Sequence, residues 1–502
     1  MPLSRRDFLR LAGLVAASTT LAACQRPEFS ARVYDWAAGG TPPITDWPAS
    51  APRHFAALNR LTFGPRVEER RRVAEIGWQA WVEEQLAPEA IDDTAADLRL
   101  RRFPTLTMRA TELADWSDKL FDDIDKASVP NELRQATLIR QVYSRRQLYE
   151  LMAEFWTDHF NISVDKGDGY FLKTVDDRDV IRPHALGKFR DLLWASAHSP
   201  AMLVYLDNQA NVKSHPNENY ARELMELHTL GVNGGYGQQD VMELARCLTG
   251  WTVKEHGWRG EFTFDPEQHD DGVKTVLGMT IQPDGQREAE HAIEALAAHP
   301  NTALFIATKL ARRFLGAAPA ELIDRVAQTF LHTDGDIRSV LRVLLLDGLA
   351  AEPPQPVFKR PAHFIVSALR QLNAYTDSGL ALHDYLARLG QTYFSWPTPD
   401  GSPDRAEAWQ GNLLPRWQFA LMLAQGEING TRLSLAELLA ASGARTRERI
   451  ADQLAVLLLG APLPTMTRAD LLNSLQDAGA DKESLPSILT AGLIASPPFQ
   501  WR

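Results

Sequence analysis

The sequence predicts a mainly α-helical protein: a large multi-helix, bundle-like domain with a small β-hairpin insertion. Three observations carry this prediction. Apolar residues recur at helical spacing in residues 73–86, 132–160, 302–315 and 320–331. Gly64-Pro65 and Gly231 supply the stops such helices need. Only residues 258–278 alternate apolar and polar side chains as strands do.

At 502 residues, 45% hydrophobic and 23% charged, the chain can bury a sizeable core. Its net charge is −11, and about −13 beyond residue 23, because residues 1–23 hold three Arg and one Asp. That balance argues against nucleic acid as a partner, since such binding rests on cationic patches.

The N-terminus reads as an address. Arg5-Arg6, then Phe8-Leu9, an alanine-rich run over 11–23 and Leu21-Ala22-Ala23-Cys24 resemble a twin-arginine (Tat) export signal joined to a lipoprotein box. The apolar run is too short to be a stable membrane span. The resemblance implies cleavage before Cys24, lipidation of Cys24, and a periplasmic protein held at the membrane through that lipid. Gln25 resembles the outer-membrane sorting pattern. A Sec signal with a chance arginine pair is the alternative. Residues 24–50 are rich in Pro, Gly and Ala and read as a tether. Residues 51–430 form the main helical domain, and 431–502 a C-terminal helical subdomain without a catalytic signature. Beyond Cys24 only Cys247 remains, so the body has no disulfide. Cys247 sits mid-helix beside Leu244 and Leu248, which suits an inert buried thiol.

The helices follow in order. Residues 54–63 form one, stopped at Gly64-Pro65, and 73–86 a second anchored by Trp78 and Trp81. Residues 132–160 make one or two more. There His159 shares a face with Leu151 and Phe155, with Glu154 and Asp158 on the adjacent stripe. A lone histidine on an apolar face is commonly a hydrogen-bonded core residue; its reading as a ligand depends on there being others. His184 opens a helix after Arg182-Pro183. The alternating region reads as a hairpin whose loop carries His269-Asp270-Asp271-Gly272, either a plain turn or a loop folded over the helices. Helices return from residue 288. Asp334-Gly335-Asp336 caps the one that begins at Ile337. Residues 394–404 form a rigid loop bearing proline and tryptophan.

Residues 217–251 concentrate the charged, histidine and glycine positions. Tyr220, Leu224 and Leu227 share one side of its first helix, and Glu218, Arg222 and Glu226 form an ion-pair ladder on the other. Glu223 and His228 border the apolar arc from opposite flanks, and a carboxylate there needs a partner. Asp240 caps the second helix or serves as a ligand.

HFAALNRLTFGP, FWTDHFNIS, IRPHALGKFRDLL, SPAMLVYLDN, NENYARELMELHTLGVNGGY, DVMELARCLTGW, HDDGVKTVLG and FSWPTPDG together resemble one bacterial family, catalogued as domain of unknown function 1800. The resemblance runs from about His54 to the end. It implies a mostly helical exported protein, encoded beside an exported protein of the family catalogued as 1501, which is then an expected partner. Gly237 stands where Thr or Ser is expected, which removes a side-chain cap.

Two functions follow. The first is a metal-dependent, hydrolase-type enzyme. Here His159, His184, Glu223 and His228 would ligate zinc, iron or manganese, with Glu223, His269 and Asp270 doing the proton chemistry. No compact motif such as HExxH supports it. The second is a non-catalytic lipoprotein that binds a partner, its histidines being satisfied core groups. A milder version of the second is a polymer-binding module using Trp258, Trp396 and Trp409.

Overall fold

The computed structural model describes residues 33–39, 44, 47–119, 127–254, 259–351, 355–477, 481 and 483–502. The export signal, Cys24, much of the tether and Trp258 lie outside them. Among the described residues no helix is long and apolar enough to cross a membrane.

Helices dominate, and the core is built around two of them. Gln147–His159 and Pro361–Gln371 are buried on nearly every side. An all-round buried helix belongs at the centre of a large helical body. Gln147–His159 packs against Pro52–Leu61 and Trp78–Leu86. Three successive helices, Pro300–Leu315, Ala320–His332 and Ile337–Ala351, pack on one another beside it. Within the 431–502 segment, Leu485–Ala495 packs against Leu413–Gln425 and Arg447–Leu459, and Thr431–Arg432 pairs with Tyr375–Thr376.

Several local expectations shift. The 73–86 helix is two helices, Val67–Ile76 and Trp78–Leu86, because Gly77 turns the chain at φ +84°. Residues 132–160 likewise split into Ser128–Tyr143 and Gln147–His159. The helix from Asn219 changes at Leu224–Thr229 to a wider π-type turn. The extra residue in that turn rotates the later side chains, so Met225, His228 and Thr229 are buried while Leu227 is only half-buried.

The expected small β insertion is present, but its strands pair differently from the expected hairpin. Among the described residues, 259–264 do not pair with 273–278. Instead Trp251–Val253 pairs with Phe262–Phe264, and Lys274–Val276 with Met279–Ile281. Leu277-Gly278 has positive φ at both positions, the geometry of a two-residue hairpin turn, so it closes its own ladder. His269-Asp270 therefore lies between two small ladders rather than at a tip, and His269 is buried.

Candidate functional site

The two central helices hold more charge than buried helices ordinarily do, and the charges find one another. Glu154 Oε2 accepts from His363 Nε2 at 2.7 Å and from Arg313 Nη2. Arg313 Nη1 donates to Asp404 Oδ1 at 3.1 Å, and Arg360 Nη2 reaches the same oxygen at 2.7 Å. Arg360 Nη1 closes the set on Asp158 Oδ2. Burial is the largest effect on both Glu154 and Asp404 and pushes their carboxyls up. His363 and Arg313 outweigh it at Glu154, and Arg360 and Arg313 at Asp404, so both are held well below the usual carboxylate range.

The loop carrying Asp404 is tied down along its length. Asn161 Nδ2 donates to Trp396 O at 3.0 Å and Thr398 O at 2.8 Å, and Tyr205 OH to Pro397 O at 2.9 Å. Phe394 adopts φ +62°, a strained conformation for an aromatic residue, and its carbonyl accepts from Val164 N at 2.8 Å. Gly401 has φ +75°, and a Cβ there would stand 2.2 Å from Asp158 O. Gly401→Ala is therefore expected to cost about 2–4 kcal/mol, read as a lowered urea midpoint; an unchanged midpoint would show that the loop yields freely.

Beside the ion network opens a cleft of about 590 Å³, within the size range of small-molecule sites. Lys309 stands on its wall. Its Nζ is 2.9 Å from His159 Nδ1, and His159 Nε2 is 3.0 Å from His228 O. A carbonyl only accepts, so Nε2 carries the proton and Nδ1 offers its lone pair to the Lys309 amine. His228 supplies that carbonyl near the C-terminal end of its helix, where carbonyls lack intrahelical donors. Burial lowers His159 well below the ordinary histidine value, with Lys309 and His228 adding to it. Burial likewise brings Lys309 down to about 8, against the opposing pull of Asp158 and Asp404.

Of the expected ligands, the structure brings His159 and His228 together, with ring centroids 6.0 Å apart. Both nitrogens of His159 are already engaged. Among the described residues Nε2 of His228 is buried without a partner, its ring lying 5.0 Å from that of Phe160. Glu223 is half-buried; burial raises its carboxyl, and Glu226 and Asp400 push the same way. His184 is half-buried at the end of Arg182–His184, where burial lowers it. His269 belongs to a different, fully buried cluster: Nδ1 is 2.8 Å from Thr249 O, Nε2 is 3.0 Å from Glu288 Oε1, and Lys274 binds the other Glu288 oxygen. Asp270 Oδ2 accepts from Arg246 Nε at 2.8 Å, which pulls its carboxyl down to about 2. These contacts clasp the small ladders onto the Gln238–Cys247 helix. Among the described residues no three His, Cys, Asp or Glu side chains are gathered as metal ligands. The side chains as arranged do not fit a shared ion, and no step below is routed through one.

Other sequence expectations resolve into packing. Asp240 caps, from the third helical position, with Oδ2 accepting Gly237 N at 2.9 Å. Asp336 caps the helix after it through Ser339 N at 2.7 Å. Cys247 is buried, and burial pushes its thiol up to about 12. Trp409 is buried with Nε1 on Pro403 O at 2.9 Å, while Trp396 is only partly covered. Sequence reading missed Lys309, Arg313, Arg360, His363 and Asp404. A signal for one of them was present: Arg313 continues the apolar face of Ile306 and Leu310 at i+7 and i+3.

The fold and site define a mainly helical protein whose centre is a buried ion network opening on a charged cleft. The family model described as "Protein of unknown function (DUF1800)" matches residues 56–501, and the chain belongs to that family. No curated protein and no solved structure matches it.

Proposed function

We propose that the protein is an acid–base enzyme of hydrolytic type and that the cleft is its working site. The observation that carries this reading is the Lys309–His159 contact of 2.9 Å on the cleft wall, with His159 oriented by the His228 carbonyl. A lysine titrating near 8 exists partly as free amine at neutral pH, the condition a general base requires. The lowered His159 ring does not readily take the proton, so Lys309 is the proton carrier and His159 a positioning residue. In the scheme, the Lys309 amine draws a proton from water in the cleft and the resulting hydroxide attacks an ester carbon or phosphorus. The leaving oxygen takes the proton back from the ammonium. Activity then rises with pH through about 8, as Lys309 loses its proton.

Turnover of 4-nitrophenyl acetate, phosphate and hemisuccinate tests this. Lys309→Met and Lys309→Arg are both expected to lose about 100-fold or more, because neither supplies a base. His159→Gln is expected to lose less and to move the pH limb. Turnover that persists in Lys309→Met would refute the proposal.

A second reading is favoured by a separate feature. Leu414, Trp417 and Leu421 stand exposed at 62%, 51% and 45%, at helical spacing on Leu413–Gln425. Such a stripe suits a partner, for which the exported family 1501 protein is the proposal. Under either reading the chain is proposed to leave the cytoplasm by the Tat route, to be lipidated on Cys24 and to work in the periplasm, at the outer membrane in preference to the inner.

A further inference from the structure

The charges around the cleft do not balance. Among the described residues Lys309 has no carboxylate at ion-pair distance, its polar contact being His159. Arg312 and Arg405, both exposed on the same cleft, make no ion pair among the described residues. Against these three cations the cleft sets one carboxylate without a cation, Asp400. The remaining acids, Asp158 and Asp404, are committed to Arg360 and Arg313. The buried Arg313 side chain, 1% exposed and lining the cleft, also keeps an Nε without a partner among the described residues. A surplus of positive charge inside a protein of net charge −11 is a local device, because a cleft with low-dielectric walls concentrates the field of its lining. The cleft also has an apolar side, where Phe358 and Trp501 meet edge to face with centroids 5.1 Å apart.

From this the geometry points to an anion-recognition site. The cleft takes a small organic acid, a carboxylate or phosphate ester with an apolar body, its charge set between Arg312 and Arg405 beside Lys309 and its body against Phe358 and Trp501. The inference rests on the cleft being the working site and names the substrate class that site selects. Guanidinium groups suit it because they hold carboxylate and phosphate oxygens in a bidentate fork. Asp400, near the same opening, disfavours a second negative charge on that side.

Calorimetric titration of the full chain with phenyl phosphate, benzoate and neutral benzyl alcohol tests the assignment. At least one of the two anions is expected to bind, more weakly as salt rises, and benzyl alcohol to bind far less. The ratio of phenyl phosphate to benzoate affinity identifies the preferred head group. In Arg312→Gln/Arg405→Gln the anion affinity is expected to fall about tenfold or more. Both positions are exposed, so the fold is expected to persist, and circular dichroism checks it. Lys309→Arg keeps the charge and is expected to keep most of the binding. Equal anion binding by the double variant, or no anion binding by the unaltered protein at millimolar concentration, would overturn the inference. The readout is equilibrium binding, so it separates from the catalytic proposal. Retained anion binding without Lys309-dependent turnover sinks only the catalysis, and turnover with anion binding indifferent to the two arginines sinks only the recognition.

Discussion

Acidification from pH 7 to pH 5 is expected to remove on the order of 6–8 kcal/mol of stability, enough to bring a protein of ordinary stability close to unfolding. The cause is four histidines that burial holds neutral, His159, His228, His363 and His383. Burial is the largest effect on each. Lys309 adds to it at His159 and His228, and Arg502 at His363, where Glu154 opposes. His228 and His363 are lowered to about 3. The sign follows from linkage. A folded-state value below the unfolded one means that the unfolded chain binds more protons. Stability is therefore complete above about 6.5 and is lost as pH falls, until the folded values near 3 are reached. Each ring contributes up to about 1.4 kcal/mol per pH unit in that window. Asp158, whose carboxyl burial raises, acts in the opposite sense only as the carboxylate range is approached. Urea midpoints at pH 7, 6 and 5 check this, and His228→Phe is expected to remove about one quarter of the slope. A midpoint independent of pH over that window would contradict the assignment of neutral rings.

The second large effect is expected at Glu154. Glu154→Ala leaves Arg313 buried with Asp404 as its remaining carboxylate and leaves His363 Nε2 without its acceptor. Removing one partner of a buried pair costs about 3–5 kcal/mol, because the uncompensated charge stays in a low-dielectric interior. Glu154→Gln keeps the shape and loses the charge, so it is expected to lie between Ala and the unaltered protein. Replacing both partners, as in Glu154→Leu/Arg313→Met, is expected to recover part of the loss, since the charge that could not be paired is gone. Thermal or urea unfolding measures all of these. If Glu154→Gln melted with the unaltered protein, the network would be ornamental to stability.

The two effects share an origin that also limits what the sequence discloses. The helical class is legible because apolar spacing is a local signal, and so are the glycine stops and the caps at Asp240 and Asp336. His159 with Glu154 and Asp158 on the next stripe was legible for the same reason. Their partners were not. Glu154 meets Arg313 and His363 across 159 and 209 residues of chain, and no periodicity records which distant cation a buried acid will meet. The hairpin error has a different cause. Lys274-Thr275-Val276 alternates equally well for either neighbour, and the tight turn at Leu277-Gly278 decides the pairing. His-Asp-Asp-Gly is turn chemistry and leaves open whether the loop is a plain turn or folds inward, and Glu288, 19 residues on, draws His269 inside.

The most direct measurement is the titration of the Lys309 amine itself. Reductive methylation with labelled formaldehyde gives each lysine a resonance whose shift reports its protonation, and Lys309→Arg assigns the one in question. With the amine walled by the cleft and bonded to a neutral His159, its midpoint is expected at about 8 and is expected to rise when phenyl phosphate binds beside it. A midpoint near the ordinary lysine value of about 10.4, unmoved by the anion, would contradict the account.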